Sequence, residues 1–384
     1  MEGVCFTMSR QAEKKWVDAR EKTGRVFGKS QRPLLLFFGM LDRTDGLDCM
    51  NPNGLKRGGF TAARNLVVDG VSIKVPSQRN MPKAAQSPFE FDGRKITDLV
   101  TGEKWSANQP KYDLSTAQLK RVAANQEGVV EAMTFIGCNN VDVGMKCSFC
   151  TVGKAAGKIP VIPEEVAGEV LSLLVRGVPV RMAVLNTGQM QDGQELSPIA
   201  ATAAAIKRVG DIKVSAEVWP GSLPADLGGL KGKIDVFQVN IELASDSARA
   251  LLCPAKPSEA EYFRAFERLR KDGFQVSSVL QTNYYLEMEP IQKVVETAQR
   301  MLGMGVAPEI IVSRGVTGSS VKDGYWDRET SFEENLARYG TWLSRMAMLA
   351  NATGKGILSA TAGISGGCAR CGMCSVNADF KEKG

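Results

Sequence analysis

The sequence predicts an α/β fold built on a parallel sheet, and two observations predict it. Six apolar, β-branched runs recur between Val129 and Arg314, each separated from the next by a segment long enough to cross back over a sheet. Most of those segments carry helical rather than strand periodicity. Parallel strands need such crossovers, whereas antiparallel strands are joined by short turns. Six units make either an open doubly wound sheet or most of a β/α barrel, and periodicity alone leaves both open.

In chain order the strand candidates are "VVEAMTFI" from Val129, "VRMAVLN" from Val180, "IKVSAEV" from Ile212, "DVFQVNI" from Asp235, "QVSSVLQT" from Gln275 and "PEIIVSR" from Pro308. Two helix candidates between them carry signals at both ends. "PEEVAGEVLSLLVRG" opens on Pro163 and two acids, matched to the helix dipole, and closes on Gly177. "SEAEYFRAFERLRKDG" takes Ser258 as N-cap, sets Tyr262, Phe263, Phe266 and Leu269 on one face, and stops at Gly273. Before Val129 the pattern is weaker and richer in Gly, Pro, Asn and Lys, and "LSTAQLKRVAAN" from Leu114 is expected to be the helix that joins this part to the rest. After Ser331, "FEENLARYGTWLSRMAMLANATG" predicts a long helix leading to a glycine-rich tail, "GISGGCARCGMCS". The expected division is an N-terminal region over 1–127 that contacts substrate, a β/α core over 128–330, and a helix with its cysteine-rich tail over 331–384.

Composition excludes several classes of function. The 384 residues carry 48 Lys and Arg against 42 Asp and Glu, a net charge of +6 with no basic stripe interleaved with aromatics, which argues against a nucleic-acid partner. No apolar run reaches the roughly 18 residues of a membrane span, the longest candidate being "PLLLFFGML" from Pro33. The opening "MEGVCFTMSRQAEKKW" has no basic stretch followed by an apolar one, so a cytoplasmic, reducing location is expected. Histidine is absent altogether, which excludes Ser-His-Asp hydrolysis, His-paired cysteine nucleophiles and HExxH zinc sites. Chemistry must therefore run on cysteine, carboxylate, lysine, tyrosine or a cofactor.

Of nine cysteines, three fall within "FIGCNNVDVGMKCSFCTVGK", where Cys138, Cys147 and Cys150 form C-x8-C-x2-C directly after the first predicted strand. That position is a loop at the carboxyl end of a parallel sheet, where α/β proteins hold their chemistry. A structural zinc site wants a fourth ligand that no histidine supplies. A thioredoxin-type pair stands at a helix start and needs no third cysteine. At these residues the sequence resembles the radical S-adenosylmethionine (radical SAM) enzymes, in which three thiolates hold a four-iron cluster and leave one iron free. The family's usual spacing is C-x3-C-x2-C with an aromatic residue before the last cysteine. Here "CSFC" matches, with Phe149 in the aromatic place, while the first gap is eight residues.

The resemblance implies roles for further positions. "LNTGQ" follows the second strand, where the family holds the methionyl amino group on a Gly-Gly-Glu motif, so Asn186, Thr187, Gly188 and Gln189 are expected there. Asn240 and Glu242 stand where the family faces ribose and carboxylate, and Glu217, Gln281, Asn283, Ser313 and Arg314 supply the remaining strand ends. Polar residues in order at six consecutive strand ends favour a partial (β/α)6 TIM-like barrel over the open sheet. The family implies a 4Fe-4S cluster and S-adenosylmethionine as cofactors, an electron donor such as flavodoxin or ferredoxin, a small-molecule substrate, and reductive carbon–sulfur cleavage that yields a radical.

Near the end, "CARCGMC" sets Cys368, Cys371 and Cys374 at C-x2-C-x2-C beside glycines. Three readings stay open: a second iron-sulfur cluster with Cys253 or a substrate atom as fourth ligand, a mobile thiol arm, and a site for a thiophilic substrate such as trivalent arsenic. The last suits transfer of the 3-amino-3-carboxypropyl group of S-adenosylmethionine instead of radical modification of a carbon substrate. An iron-sulfur sensor or electron carrier is the non-enzymatic alternative, against which stands the spare ligand site, since carriers saturate their clusters with protein ligands. Cys5, Cys49 and Cys253 are isolated in sequence and are expected to be buried or incidental.

Overall fold

The computed structural model describes residues 8–28, 30–38, 40–42, 64–68, 71–75, 87–108, 112–114, 121–124, 128–150, 159–190, 193–282, 289–312, 331–372 and 374–380. Cys5, Cys49, Asn283, Ser313 and Arg314 lie outside the described residues. The chain opens on α1 (Arg10–Phe27) and α2 (Arg32–Phe38). Short strands follow: β1 (Leu41–Asp42), β2 (Arg64–Val68), β3 (Val71–Val75), β4 (Phe89–Phe91), β5 (Lys95–Asp98), β6 (Lys104–Asn108), β7 (Tyr112–Leu114) and β8 (Arg121–Ala124). The first six make one sheet in the order β1-β4-β5-β6-β2-β3.

The second half alternates strand and helix: β9 (Val129–Ile136), α3 (Asn139–Asp142), β10 (Ile159–Pro160), α4 (Pro163–Val175), β11 (Met182–Thr187), α5 (Leu196–Val209), β12 (Lys213–Glu217) and β13 (Val236–Gln238). Then come α6 (Asp246–Leu252), α7 (Glu259–Lys271), β14 (Gln275–Gln281), α8 (Ile291–Gly303), β15 (Val306–Ile311), α9 (Phe332–Gly363) and α10 (Gly367–Cys371). β9, β11, β12, β13, β14 and β15 pair in parallel and in chain order. A doubly wound sheet reverses its order at a switch point, and this one does not, so the architecture is the partial β/α barrel.

Local signals account for the helices. Pro163 starts α4 with Glu164 and Glu165 in its first turn, and Ser258 closes a capping box with Glu261 on α7. Along the strands, Val130 and Ala132, Ala183 and Leu185, Val214 and Ala216, and Phe237 and Val239 face the helices in the main core. The alternate positions Glu131, Asn186, Glu217 and Gln238 therefore face the lumen. Where it is described, the segment from Leu114 is strand and not the expected helix: Leu114 ends β7 and Arg121–Ala124 form β8. β7 and β8 pair antiparallel, and β8 sets Val122 opposite Val130 on the free edge of β9. Satisfying that edge's backbone groups outweighs the helix propensity of Ala123 and Ala124 in β8.

The two ends of the chain pack together around aromatic rings. Trp16 of α1 meets Phe38, Phe89 and Phe332 at centroid distances of 5.3, 5.4 and 5.8 Å, and its ring nitrogen donates to Asp98 at 2.9 Å. Such edge contacts add to a large apolar burial. The tail then enters the barrel from the amino-terminal ends of the strands. Ala369 and Ile364 pack with Val236 and Ala307, while Cys368 and Cys371 pack on Val129, Met182 and Val184. Gly367 has φ 82°, and a Cβ there would stand 2.6 Å from Ser215 Oγ, so only glycine lets the tail turn in at this point. Beyond α10, Asn377 accepts from the Ile310 amide at 2.9 Å and donates to the Pro308 carbonyl at 2.7 Å, covering the edge of β15. A buried ion pair, Arg32 to Asp379 at 3.2 Å, ties this return to α2. Arg32→Ala leaves Asp379 buried without its cation. It is expected to cost about 3–5 kcal/mol, read as a lower urea midpoint, with Arg32→Lys recovering part of the loss.

Candidate active site at the carboxyl ends of the strands

Cys138 follows β9 and begins the turn into α3. The end of β11 presses against it: the Asn139 amide donates to the Gln189 carbonyl at 2.9 Å, and a Cβ on Gly188 would lie 1.9 Å from the Gly137 oxygen and 2.7 Å from Cys138 Cβ. Glycine is the one residue that permits this approach. Cys147 and Cys150 share a tight turn, the Cys150 amide donating to the Cys147 carbonyl at 3.0 Å, and the Ser148 amide donates to Leu252 O at 2.6 Å. All three thiols are half-buried at one mouth of the barrel. Among the described residues, no three His, Cys, Asp or Glu side chains stand gathered as a metal site. Cys147 turns instead to Cys253, with Phe149 packed beside it on Leu243, Ala248 and Leu252.

Cys253 is buried, as expected of an isolated cysteine, and it packs against Cys147 rather than against the tail cysteines. It lies at the opposite end of the barrel from α10, because α6 and its cap carry it under the cysteine loop. The hydrogen bond with Cys253, together with burial, pushes the Cys147 thiol up, while the same bond draws Cys253 down.

A polar network lines the mouth below the loop. Asn186 donates to Glu131 at 2.9 Å, and Asn240 donates to Glu217 at 2.5 Å while accepting from the Val279 amide at 3.1 Å. Lys256 donates to Glu242 at 3.0 Å and to Asn240 O at 2.7 Å, lies 5.3 Å from the Trp219 ring centre, and Gln281 donates to the other Glu242 oxygen at 2.6 Å. Burial alone would push the Lys256 ammonium down, but Glu242 beside it, with Tyr262 and the two thiols, holds it above its usual range. Glu242 is the one described non-glycine residue in the left-handed region, at φ 65°. Such a conformation costs on the order of 1–3 kcal/mol, and here it aims the carboxylate at Lys256 and Gln281.

Deeper in the lumen, Glu309 of β15 is 1% exposed, and its Oε2 has no hydrogen-bond partner. Burial, then the carboxylates of Glu217 and Glu242, push it up to about 8. Sequence reasoning passed over Glu131, Lys256 and Glu309. A carboxylate inside an apolar parallel strand was the available signal for Glu131 and Glu309, because such strands are covered on the outside by helices and read as continuous apolar runs. Nothing in the sequence marked Lys256.

The donor set fits a thiolate-held iron cluster: three cysteines at the mouth of a β/α barrel in a chain without histidine, with a glycine cradle holding the first of them. No helix among the described residues is long and apolar enough to cross a membrane. No protein-family model and no curated protein matches the sequence. Among solved structures, the chain overlaps in part with the FeFe-hydrogenase maturase HydG from Carboxydothermus hydrogenoformans, at 16% identity and TM-score 0.42, covering 57% of this chain and 51% of that one. Methylornithine synthase (PylB) gives 13% and 0.41, with 58% and 68% covered. SuiB from Streptococcus suis gives 11% and 0.41, with 59% and 49% covered. The chain thus spans about half the length of HydG and of SuiB.

Two outcomes follow from this geometry. Gly188→Ala is expected to strain the β11 end by about 1–3 kcal/mol, seen as a lower melting temperature, and to reduce the iron retained after anaerobic reconstitution. Glu309 is an acid whose folded-state value is raised, so its stabilising contribution is present below about pH 4 and lost as pH rises through about 8. Between those values wild type is expected to lose a few kcal/mol relative to Glu309→Gln, measured as the difference between their denaturation midpoints across pH.

Proposed function

We propose that this chain is a radical SAM enzyme acting on a small molecule inside its barrel. The observation that carries the reading is that the loop bearing the half-buried Cys138, Cys147 and Cys150 leaves β9 at the barrel end where polar strand-end side chains pair with one another. A four-iron cluster with S-adenosylmethionine bound would supply reductive carbon–sulfur cleavage and a carbon radical. Cys138, Cys147 and Cys150 are the residues that would hold the cluster, Cys147 leaving Cys253 to do so. Asn186, Thr187, Gly188 and Gln189 would take the methionyl amino group at the end of β11. Glu217, Asn240 and Glu242 would meet the ribose and carboxylate, with Phe149 against the cysteine loop. Ser313 and Arg314 join this set on sequence grounds. Lys256 holds Glu242 and Asn240 in place, so binding meets fixed dipoles rather than mobile ones. The tail helix closes the far end of the barrel and keeps water from a reactive intermediate. A one-electron donor such as flavodoxin or ferredoxin, and the N-terminal region as part of the substrate site, belong to the same proposal.

A second reading keeps the cofactors and transfers the 3-amino-3-carboxypropyl group to a thiophilic acceptor. It is favoured by the position of Cys368 and Cys371, which pack on the inward faces of β9 and β11 instead of lying on the outer surface. Products separate the two: the reduced, reconstituted protein with S-adenosylmethionine is expected to release 5′-deoxyadenosine, and methylthioadenosine would establish the second reading. Absence of both, with turnover equal to that of Cys147→Ala, would leave a non-catalytic iron-sulfur protein. Iron and sulfide counting addresses the tail: a second cluster gives about eight irons, falling to about four when Cys368, Cys371 and Cys374 are all changed to Ala. An unchanged count of about four excludes it.

A further inference from the structure

Cys147 and Cys253 meet beneath the cysteine loop, and the backbone holds them there from both sides. The Ser148 amide donates to the Leu252 carbonyl at 2.6 Å, so the residues next to the two cysteines are joined directly. Cys253 is fixed further by its own amide, which donates to Arg249 O at 2.8 Å, and by the Lys256 amide, which donates to the Cys253 carbonyl at 2.8 Å. Cys147 packs on the patch that Leu243, Ala248, Leu252 and Cys253 make, and a hydrogen bond joins the two sulfurs. A disulfide needs two cysteines whose backbones run close and whose side chains face each other. Sulfurs in contact, with the flanking backbones bonded, meet that need.

Access and charge give the pair an order of reaction. Cys253 is fully buried, whereas Cys147 keeps part of its surface open. A reagent from solution therefore meets Cys147 first, and Cys253 is placed to displace it. Lys256, held by Glu242 at 3.0 Å and by Asn240 O at 2.7 Å, sets a fixed ammonium beside both sulfurs. Thiol–disulfide exchange moves negative charge between sulfurs, and a neighbouring cation lowers its cost. Because the two thiols belong to one chain and already touch, the second exchange is intramolecular and favoured by its high effective concentration.

We infer that Cys147 and Cys253 are a dithiol modification site, closed to a disulfide by a small-molecule disulfide such as oxidised glutathione whenever iron does not hold Cys147. In the first exchange the Cys147 sulfur bonds to one glutathione sulfur, the glutathione S–S bond breaks, and the Cys147 proton leaves on the other glutathione. In the second the Cys253 sulfur bonds to the Cys147 sulfur, the mixed disulfide breaks, and the Cys253 proton leaves on the remaining glutathione. The two cysteines together lose two electrons, and oxidised glutathione gains them to become two thiols. While the bond stands, Cys147 has no thiolate for a cluster, so oxidation and cluster loading exclude each other. That exclusion rests on the loop being the cluster's seat, as proposed above, whereas the exchange itself does not.

The full-length protein is stripped of iron, reduced, freed of reductant without air and treated with oxidised glutathione. It is then digested without reductant, and its linked peptides are sequenced by mass spectrometry. A Cys147–Cys253 link is expected in wild type and in Cys150→Ala, reversed by dithiothreitol and lost in Cys253→Ser and in Cys147→Ala. Cys150→Ala combined with Cys253→Ser, whose fold is verified by its melting transition, is expected to keep glutathione on Cys147, because the thiol that displaces it is gone. Linkage of Cys147 to Cys138 or Cys150 in place of Cys253, glutathione retained on wild-type Cys147, or no link at all overturns the inference. The cluster-loaded protein, treated alike, is expected to lose the link, and removal of its iron by a chelator to restore it. A link formed equally with and without iron overturns the exclusion. Because the iron-free arm involves no cluster, its failure is distinguishable from failure of the radical SAM reading, which the iron count and product analysis test.

Discussion

Everything in this molecule follows from which way the side chains of six parallel strands point. Each strand sets its apolar residues outward against the helices, and that burial drives folding. The same alternation sends Glu131, Asn186, Glu217 and Gln238 inward, where each must find a partner away from bulk water. At the carboxyl ends the partners are other strand ends: Asn186 to Glu131, Asn240 to Glu217, and Lys256 and Gln281 to Glu242. Close to the tail they are incomplete. A barrel whose interior were apolar would be more stable and would have no site.

The rest of the architecture holds that interior closed. Two parts of the chain far apart in sequence do so together. α1, α2 and the small sheet clamp α9 through Trp16, Phe37, Phe38 and Tyr339. α9 in turn reaches the barrel, its Trp342 donating to Thr282 at 3.1 Å at the end of β14. From α9 the chain turns into the barrel at Gly367, and Arg32 holds the returning segment through Asp379 and the Gly372 carbonyl. Through α2 the chain thus supports the position of Cys368 and Cys371 at the end of the barrel away from the cysteine loop. A change in α2 would be felt at the lumen floor before it was felt at the mouth.

Much of this was legible in the residues, for identifiable reasons. Each of the six barrel strands combines β-branched residues with a crossover on either side, and every one appears where that pattern lies. The helices at Pro163 and Ser258 were legible because their caps are local chemistry. The Leu114 segment was misread because its helix-favouring composition competes with an unpaired strand edge that no local pattern reveals. In the site, the Cys138, Cys147 and Cys150 loop stood out by spacing. The partnership of Cys147 with Cys253 did not, since a hundred residues of chain separate them and only the return of α6 under the loop brings them together. Gly188 was singled out by resemblance, and its physical role is the close approach of backbone to Cys138. Glu309 was hidden inside an apolar strand and is visible only once the lumen is assembled.

The central claim is that Cys138, Cys147 and Cys150 hold a four-iron cluster with one iron open to S-adenosylmethionine. Electron paramagnetic resonance of the anaerobically reconstituted, dithionite-reduced protein tests it most directly, using the triple Cys368, Cys371 and Cys374→Ala variant so that only the loop's thiols contribute. The account predicts a reduced-cluster signal whose g-values shift when S-adenosylmethionine is added, and no such signal when Cys138, Cys147 or Cys150 is changed to Ala. A signal that S-adenosylmethionine leaves unmoved, or one that survives loss of any of these three cysteines, would contradict it.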